Sequence, residues 1–238
     1  MRYLVLIAIL ASTFTVISCK KKKNEEKPVV FGCMNPNSIN YSETATQDNG
    51  SCQFAERYLP LKVGNTWTLK DTISLPIPGF PIDVPVNAIL LAEKDTQMDG
   101  KTYTIIQQQI TLENLPIPGG GLSLNRYGYR TDRTGKVYRR VPGDSQEYLY
   151  LDYPLAIGKT WEDLSSDPNT YTTTANSLVS VPAISAPVGA WEITSLFQGQ
   201  AIQTYFSNSH GIVRLKLGID VMGFPLEIDA FLTEYQLQ

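Results

Sequence analysis

The sequence predicts an all-β protein, a mainly antiparallel sandwich or curved half-barrel, preceded by a small disulfide-stapled module. Apolar and polar residues alternate over 102–112 and 225–235, and both segments are rich in β-branched and aromatic residues, which is typical of strands with one buried face. Two glycine-containing segments, 98–101 and 133–136, predict hairpin turns. No window of a dozen residues has helical periodicity. The 238 residues suffice for one sizeable domain and a small module.

The amino-terminal residues form a predicted export signal. After Arg2, an apolar run covers 4–17. This is shorter than the roughly 20 apolar residues of a membrane span but typical of a signal peptide. Small and aliphatic residues then stand directly before Cys19, which resembles the lipobox of bacterial lipoproteins. The resemblance implies that 1–18 is a signal peptide and that Cys19 carries lipid; an ordinary signal peptide with a chance cysteine is the alternative.

Residues 19–30 are predicted to be a lipidated, flexible tether. Segment 20–27 has five lysines and two glutamates, and such a composition cannot form a core. A flexible spacer is the favoured role, and contact with lipid headgroups is the alternative. Bacteroidetes lipoproteins carry similar charged segments, and some of these segments direct export to the cell surface. The protein is therefore expected at the outer membrane, on either its periplasmic face or its outer face. Because 28–238 holds 14 basic and 21 acidic residues, we expect no nucleic-acid partner.

Residues 31–53 are predicted to form a module held by a disulfide. Once Cys19 is assigned to lipid, Cys33 and Cys52 remain as a pair in an exported chain, and such cysteines pair by default. The bridge would close a loop of roughly 20 residues and stabilise it by about 3 kcal/mol.

The same segment resembles a short module of extracellular Bacteroidetes proteins that begins with Gly-Cys and ends with Asp-Asn-Gly-Ser-Cys. The matching residues are Gly32, Cys33, Asn35, Asn40, Tyr41, Ala45, Asp48, Asn49, Gly50, Ser51 and Cys52. Some relatives of such modules bind calcium, and Asn35, Asp48 and Asn49 are weak calcium candidates. Since calcium prefers several charged oxygen ligands and this copy has few carboxylates, structural Asx turns are the favoured role of these side chains.

Residues 57–238 are predicted to form an all-β domain with two related halves. The sequence PLKVGNTW at 60–67 recurs as PLAIGKTW at 154–161. Each copy predicts a turn leading into a strand with its tryptophan, Trp67 or Trp161, on one face. Repetition over this distance indicates two halves of one sheet system. The tryptophans are expected in the core, with ligand platforms as the alternative.

Two further groups of residues in this domain carry open alternatives. The proline-rich apolar segments 75–79 and 115–121 predict loops or strand ends, because proline cannot donate a ladder hydrogen bond. We expect them to cover a sheet edge, with an exposed apolar rim as the alternative. Tyrosines are frequent between 127 and 153 and are predicted to pack across strands; stacking on sugars or peptides is the alternative.

The order of these motifs is similar to that of uncharacterised Bacteroidetes lipoproteins. The shared elements are 58–67, 135–138, 154–161, 187–191 and 205–213. A weaker resemblance is to the curved antiparallel sheet of LolA-like lipoprotein carriers. That resemblance implies a surface that holds acyl chains.

Three apparent catalytic motifs have simpler explanations. Segment 158–160 ends like a phosphate-binding loop, but Tyr153 stands where glycine is needed and no helix is predicted to follow. His210, the single histidine, is predicted to be a turn residue because no G-x-S-x-G motif supplies a nucleophile. Glu227 and Asp229 share one strand face, which we expect to be solvated rather than part of a carboxylate pair across a cleft.

The sequence therefore predicts a non-enzymatic envelope protein without a cofactor or metal. Its favoured function is to bind a hydrophobic ligand, a glycan or a partner protein at the bacterial outer membrane, where its lipid anchor holds it. A structural or assembly accessory of an outer-membrane complex is the alternative, and a hydrolase is a further one. An open apolar groove would favour the binding function. Co-purification with a membrane complex would favour the accessory role, and two facing carboxylates in a deep pocket would favour a hydrolase.

Overall fold

The structure, a computed structural model, describes residues 28–75, 79, 81–113, 121–163, 169–197, 199–221 and 224–238. The predicted signal peptide, Cys19 and most of the tether lie outside these residues, as do most positions of the two proline-rich segments.

The described residues form strands and no helix, which confirms the all-β prediction. The module contains β1 (Phe31–Gly32) and β2 (Gln47–Asp48). The remaining strands are β3 (Thr66–Leu75), β4 (Ile82–Met98), β5 (Lys101–Leu112), β6 (Gly121–Thr131), β7 (Val137–Arg140), β8 (Tyr148–Leu151), β9 (Thr160–Glu162), β10 (Thr170–Val179), β11 (Val188–Phe197), β12 (Gln200–Ser207), β13 (Gly211–Val221) and β14 (Phe224–Gln236).

Strands β3 to β14 form one 12-stranded antiparallel sheet made of two meanders. Strands β3 to β8 pair in chain order, β9 to β14 do the same, and β14 joins the meanders by pairing with β3. The sheet curves until its two edges approach each other: the ring of Tyr150 on edge strand β8 lies 6.1 Å from those of Tyr171 on β10 and Phe206 on β12. Of the two shapes left open by the sequence, the curved one is found, and the sheet almost closes into a barrel.

The strands and turns predicted from sequence are present. The alternating segments are β5 and β14. The turn between β4 and β5 has Asp99 at φ 50° and Gly100 at φ 74°, the positive angles of a tight hairpin turn. Gly135, at φ 89°, lies in the predicted turn between β6 and β7.

The two copies of the repeated motif have the same backbone hydrogen bonds. In the first, Gly64 N donates to Ala92 O at 2.9 Å and Ala92 N donates to Asn65 O at 2.9 Å. In the second, Gly158 N donates to Thr173 O at 2.8 Å and Thr173 N donates to Lys159 O at 2.9 Å. Each turn thus leads into a strand, β3 or β9, as predicted.

The tryptophans of the two motifs lie in the core. Trp67 is fully buried and Trp161 is 7% exposed. This confirms the core-packing prediction for both residues.

The chain enters the sheet at one end, which we call the proximal end. Ser209 N, in the turn between β12 and β13, donates to Arg57 O at 3.0 Å, and Arg57 N donates to Asn208 Oδ1 at 3.2 Å. The end of β13 and the start of β14 lie at the opposite, distal end, because β13 runs away from that turn. The disulfide module therefore precedes the proximal end of the sheet.

Candidate functional site

An apolar cavity of about 240 Å³ lies inside the curved sheet. Its apolar lining comes from both meanders and includes Leu69, Ala88, Leu90, Ile110, Ile193, Ile202, Phe206, Ile212, Leu215 and Leu217. For comparison, a dry apolar cavity of about 150 Å³ is large enough to take up benzene.

Strand alternation explains why these side chains meet. Residues two apart point to the same face of a strand, so Leu69 follows Trp67 on the inner face of β3, and Thr204 precedes Phe206 on that of β12. Trp67 fills the proximal end, and Leu69 next to it already lines the cavity. The cavity therefore begins beyond the tryptophan.

The distal lining is more accessible. Leu196, near the end of β11, lines the cavity and is 55% exposed. Asn169, directly before β10, also lines it and is partly exposed. The cavity thus extends toward the end opposite to where the chain enters the sheet.

Some of the polar lining residues lie where the two sheet edges approach each other, and others (Gln108, Gln109, Ser195 and Thr204) come from β5, β11 and β12. Arg139 on β7, Tyr150 on β8 and Tyr171 on β10 line the cavity where the edges approach, together with Asn169. They stand among apolar side chains, as the few orienting polar groups of small-molecule sites do.

Among the described residues that line the cavity, Arg139 is the one cationic side chain. Its side chain is 22% exposed, and its Nε is buried without a hydrogen-bond partner. Nη2 lies 3.7 Å from Oδ2 of the buried Asp163, which is beyond hydrogen-bond length. The guanidinium carbon lies 5.0 Å from the ring centre of Tyr127 and 5.6 Å from that of Tyr150. The rings therefore hold the charge in place while part of its donor capacity stays unused.

Asp163 is held by Asn169, six residues further along the chain. Asn169 N donates to Asp163 Oδ1 at 3.1 Å, and Asn169 Nδ2 donates to Oδ2 at 3.2 Å. These bonds bridge the loop between β9 and β10 and place Asn169 beside the cavity.

The tyrosines around Arg139 are neutral hydrogen-bonding groups. Burial raises the pKa of Tyr129, Tyr150 and Tyr171 above the ordinary value, because a buried phenolate loses its hydration. Gln108 Nε2 donates to the Tyr129 hydroxyl at 3.0 Å.

The predicted packing of tyrosines across strands is confirmed for Tyr129 on β6 and Tyr150 on β8, whose ring centres are 5.3 Å apart, edge to face. Within β6, the rings of Tyr127 and Tyr129 also meet edge to face, at 6.3 Å. Such aromatic pairs stabilise a fold beyond the area they bury.

His210 lies in the turn between β12 and β13, as predicted. Its Nδ1 is 3.2 Å from Asn208 O, and its ring meets that of Tyr235 edge to face at 5.8 Å. The structure does not bring it to the cavity lining.

Glu227 and Asp229 lie on the outer face of β14, again as predicted. Asp229 accepts two hydrogen bonds of 2.6 Å from Arg214, and Glu227 is 3.0 Å from Lys216 Nζ. Both carboxylates thus pair with cations of the neighbouring strand β13.

Segment 158–160 is not part of a phosphate-binding loop, as predicted. Strand β9, not a helix, follows Lys159. Lys159 Nζ donates to Pro154 O at 2.9 Å and lies 2.9 Å from Asp152 Oδ2. The lysine stabilises its own turn.

The disulfide of the module is present, with the Cα atoms of Cys33 and Cys52 4.9 Å apart. The side-chain oxygens of the three calcium candidates accept hydrogen bonds from amides two residues further on: Asn35 from Asn37 at 3.0 Å, Asp48 from Gly50 at 3.1 Å, and Asn49 from Ser51 at 3.0 Å. The Asx-turn prediction is confirmed. Searched over the described ranges, the chain has no group of three or more His, Cys, Asp or Glu side chains arranged for a metal ion.

Arg139 is not among the functional residues predicted from the sequence. The pattern that could have found it is the alternation on β7, because Arg139 follows the buried Val137 by two residues and so shares its inward face. The adjacent Arg140 lies on the other face of β7, where it is buried and 2.7 Å from Asp99.

Comparisons with known proteins return only distant structures. No family model matches the chain, and no curated protein matches it. Two solved structures do, each at 10% identity and each covering 77% of this chain and 100% of the other. One, from Bacteroides fragilis, is provisionally described as an exported protein with a YmcC-like fold (TM-score 0.44). The other, from Parabacteroides distasonis, is provisionally described as a lipoprotein (TM-score 0.39).

Neither of these two descriptions names a LolA-like carrier, so that resemblance stays a prediction. Within the described ranges there is no helix with the length and apolarity that crossing a membrane requires.

Proposed function

We propose that this protein is a lipid-anchored, non-enzymatic envelope protein that binds a hydrophobic ligand inside its curved sheet. The observation that carries the proposal is the apolar cavity of about 240 Å³. The cavity is partly open to solvent and its surface is mainly apolar, so it leaves apolar surface in contact with water. A hydrophobic ligand would recover the contacts that its lining side chains lack.

The position of the cavity fits attachment to a membrane. Arg57 joins the sheet at the proximal end, so a chain anchored at Cys19 enters the sheet at that end. The cavity extends toward Leu196 and Asn169 at the distal end. Entry of a ligand at the distal end is therefore not in the path of the anchored chain.

Titration with octanol by calorimetry tests ligand binding. We expect octanol to bind the unmodified protein and Ala88→Leu to weaken binding by roughly tenfold, because Ala88 lines the cavity and the larger side chain occupies ligand space. Thr72→Leu is the matched control, since Thr72 is exposed on the outer face of β3. The proposal fails if octanol does not bind, or if both variants bind it as the unmodified protein does.

The anchor is tested separately in the bacterium that makes the protein. We expect mass spectrometry to find acyl groups on Cys19, and Cys19→Ala to move the protein out of the membrane fraction, because several acyl chains together anchor a protein firmly. An unmodified thiol at that position in the mature protein would contradict lipid attachment without affecting the cavity.

A further inference from the structure

The cavity combines a mainly apolar lining with one cationic side chain among the residues that the structure describes. Arg139 lines it together with residues such as Leu90, Ile193 and Phe206. Arginine is always charged in proteins, and a charge beside an apolar space is costly unless it is paired and hydrogen-bonded. A ligand that is hydrophobic throughout would leave that cost in place.

The hydrogen bonds of Arg139 are incomplete. A side-chain hydrogen bond joins the guanidinium to Tyr171, but Nε is buried and has no partner, and Nη2 is 3.7 Å from the nearest oxygen of Asp163. Asp163 in turn accepts two hydrogen bonds from Asn169. The pair is therefore loose, and the guanidinium still has donors to offer.

The guanidinium is also held ready for a partner. The rings of Tyr127 and Tyr150 lie 5.0 and 5.6 Å from its carbon and limit how the side chain can move. A group positioned before binding loses less entropy when the ligand arrives, and a planar guanidinium matches the geometry of a carboxylate.

We propose that the ligand carries an anionic head, the carboxylate of a medium-length acyl chain, which accepts hydrogen bonds from Arg139 while the chain fills the apolar part of the cavity. This inference rests on the proposed function and specifies its ligand class. With about 30 Å³ for each water-sized group, the cavity of about 240 Å³ has room for about eight such groups. Octanoate is therefore a fitting probe.

The experiment compares three probes of the same chain length at about pH 8, where octanoate is ionised. We expect octanoate to bind the protein roughly tenfold more tightly than octanol, and octylammonium to bind most weakly, because the head meets a cation. If octanol binds as tightly as octanoate, or octylammonium binds more tightly, the carboxylate assignment is wrong while the proposed hydrophobic site stands. If none of the three binds, the proposed function itself fails.

Variants of Arg139 test the contact directly. Arg139→Gln is expected to weaken octanoate binding by roughly tenfold with little change for octanol, and Arg139→Lys to restore part of the loss because it keeps the charge. Arg126→Gln is the matched control: Arg126 is 54% exposed on the neighbouring strand β6 and pairs with Glu93 at 3.2 Å. Unchanged octanoate binding by a folded Arg139→Gln would overturn the inference. The comparison of probes on the unmodified protein decides the matter if that variant does not fold.

Discussion

The indole Nε1 of Trp67 donates a hydrogen bond of 2.6 Å to the backbone oxygen of His210. The bond joins the first strand of one meander to the turn between β12 and β13 in the other, across 143 residues of sequence. Trp161, at the equivalent place in the repeated motif, is also buried, but its Nε1 has no hydrogen-bond partner among the described residues. The proximal end is thus closed at one copy of the motif, while the other lies beside the unpaired sheet edges.

This difference predicts unequal effects of the same substitution. Trp67→Phe and Trp161→Phe both remove a buried indole, but only the first leaves a carbonyl oxygen without its donor. We expect Trp67→Phe to lower the free energy of unfolding by about 1–3 kcal/mol more than Trp161→Phe does. Urea unfolding followed by circular dichroism measures both, and equal losses would contradict the role given to the hydrogen bond.

Two glycines offer a test of how closely Trp67 packs against the turn between β12 and β13. Gly211 and Gly158 have similar positive φ angles, 84° and 82°. A Cβ at Gly211 would lie 2.7 Å from Trp67 Nε1, whereas none of the described atoms lies within 4 Å of a Cβ at Gly158. Both alanine variants carry the strain of a positive φ, about 1–2 kcal/mol.

The crowding at Gly211 adds a second cost. We therefore expect Gly211→Ala to destabilise the protein by about 1–3 kcal/mol more than Gly158→Ala. Thermal or urea unfolding of the two variants gives the comparison. A larger loss of stability in Gly158→Ala than in Gly211→Ala would contradict the close packing of Trp67 against the turn that contains Gly211.

Glu147 predicts a pH dependence of stability. Burial acts to raise the pKa of its carboxyl, but hydrogen bonds from Arg130, Lys101 and Tyr103 outweigh this and lower the pKa to about 2. A carboxyl whose pKa is lower in the folded state stabilises the fold above its unfolded pKa, and this contribution is lost as the pH falls through the folded value.

Glu147→Gln should therefore be less stable than the unmodified protein at neutral pH by about 1–3 kcal/mol. The difference should shrink as the pH falls from about 4.5 toward about 2. Glu227→Gln is the control, because Glu227 is 66% exposed beside Lys216 and such pairs contribute little. A deficit for Glu147→Gln that is constant with pH would contradict the account.

The disulfide is expected to stabilise the module and not the sheet. Ala55 and Arg57, which follow the module, contact the turns of the sheet at its proximal end. In the double variant Cys33→Ser and Cys52→Ser we expect proteolysis between 34 and 51 and an unchanged unfolding transition of the sheet, because the bridge constrains only its own loop.

Tryptophan fluorescence isolates the sheet in this experiment. The chain has three tryptophans, and all of them lie in the 12-stranded sheet: Trp67 in β3, Trp161 in β9 and Trp191 in β11. A large shift of the fluorescence transition in the double variant would show that the module supports the sheet. If the segment between 34 and 51 stays uncleaved in the double variant, the disulfide is not needed to keep the module folded.

Local patterns in the sequence predict much of the fold. The alternation in β5 and β14 indicates their buried faces, and Asp99-Gly100 supplies the positive φ angles of a hairpin turn. These features depend on neighbours in the chain. The repeat also predicts two turns that prove to have the same hydrogen bonds.

The site could not be predicted in the same way. Closure of the sheet depends on contacts such as that between Tyr150 and Phe206, which are far apart in sequence. The period of two on β7 would place Arg139 on the inner face with Val137. This periodicity does not show that the facing strands leave a cavity beside Arg139. Nor does it show that Asp163 Oδ2 lies 3.7 Å from Arg139 Nη2.

A crystal structure of the protein grown with octanol would decide whether the curved sheet binds a hydrophobic ligand. We expect an ordered alkyl chain inside the sheet, in contact with Leu69 and Phe206 from the two meanders. A cavity filled by the protein's own side chains, or octanol bound only on the outer face of the sheet, would contradict such binding.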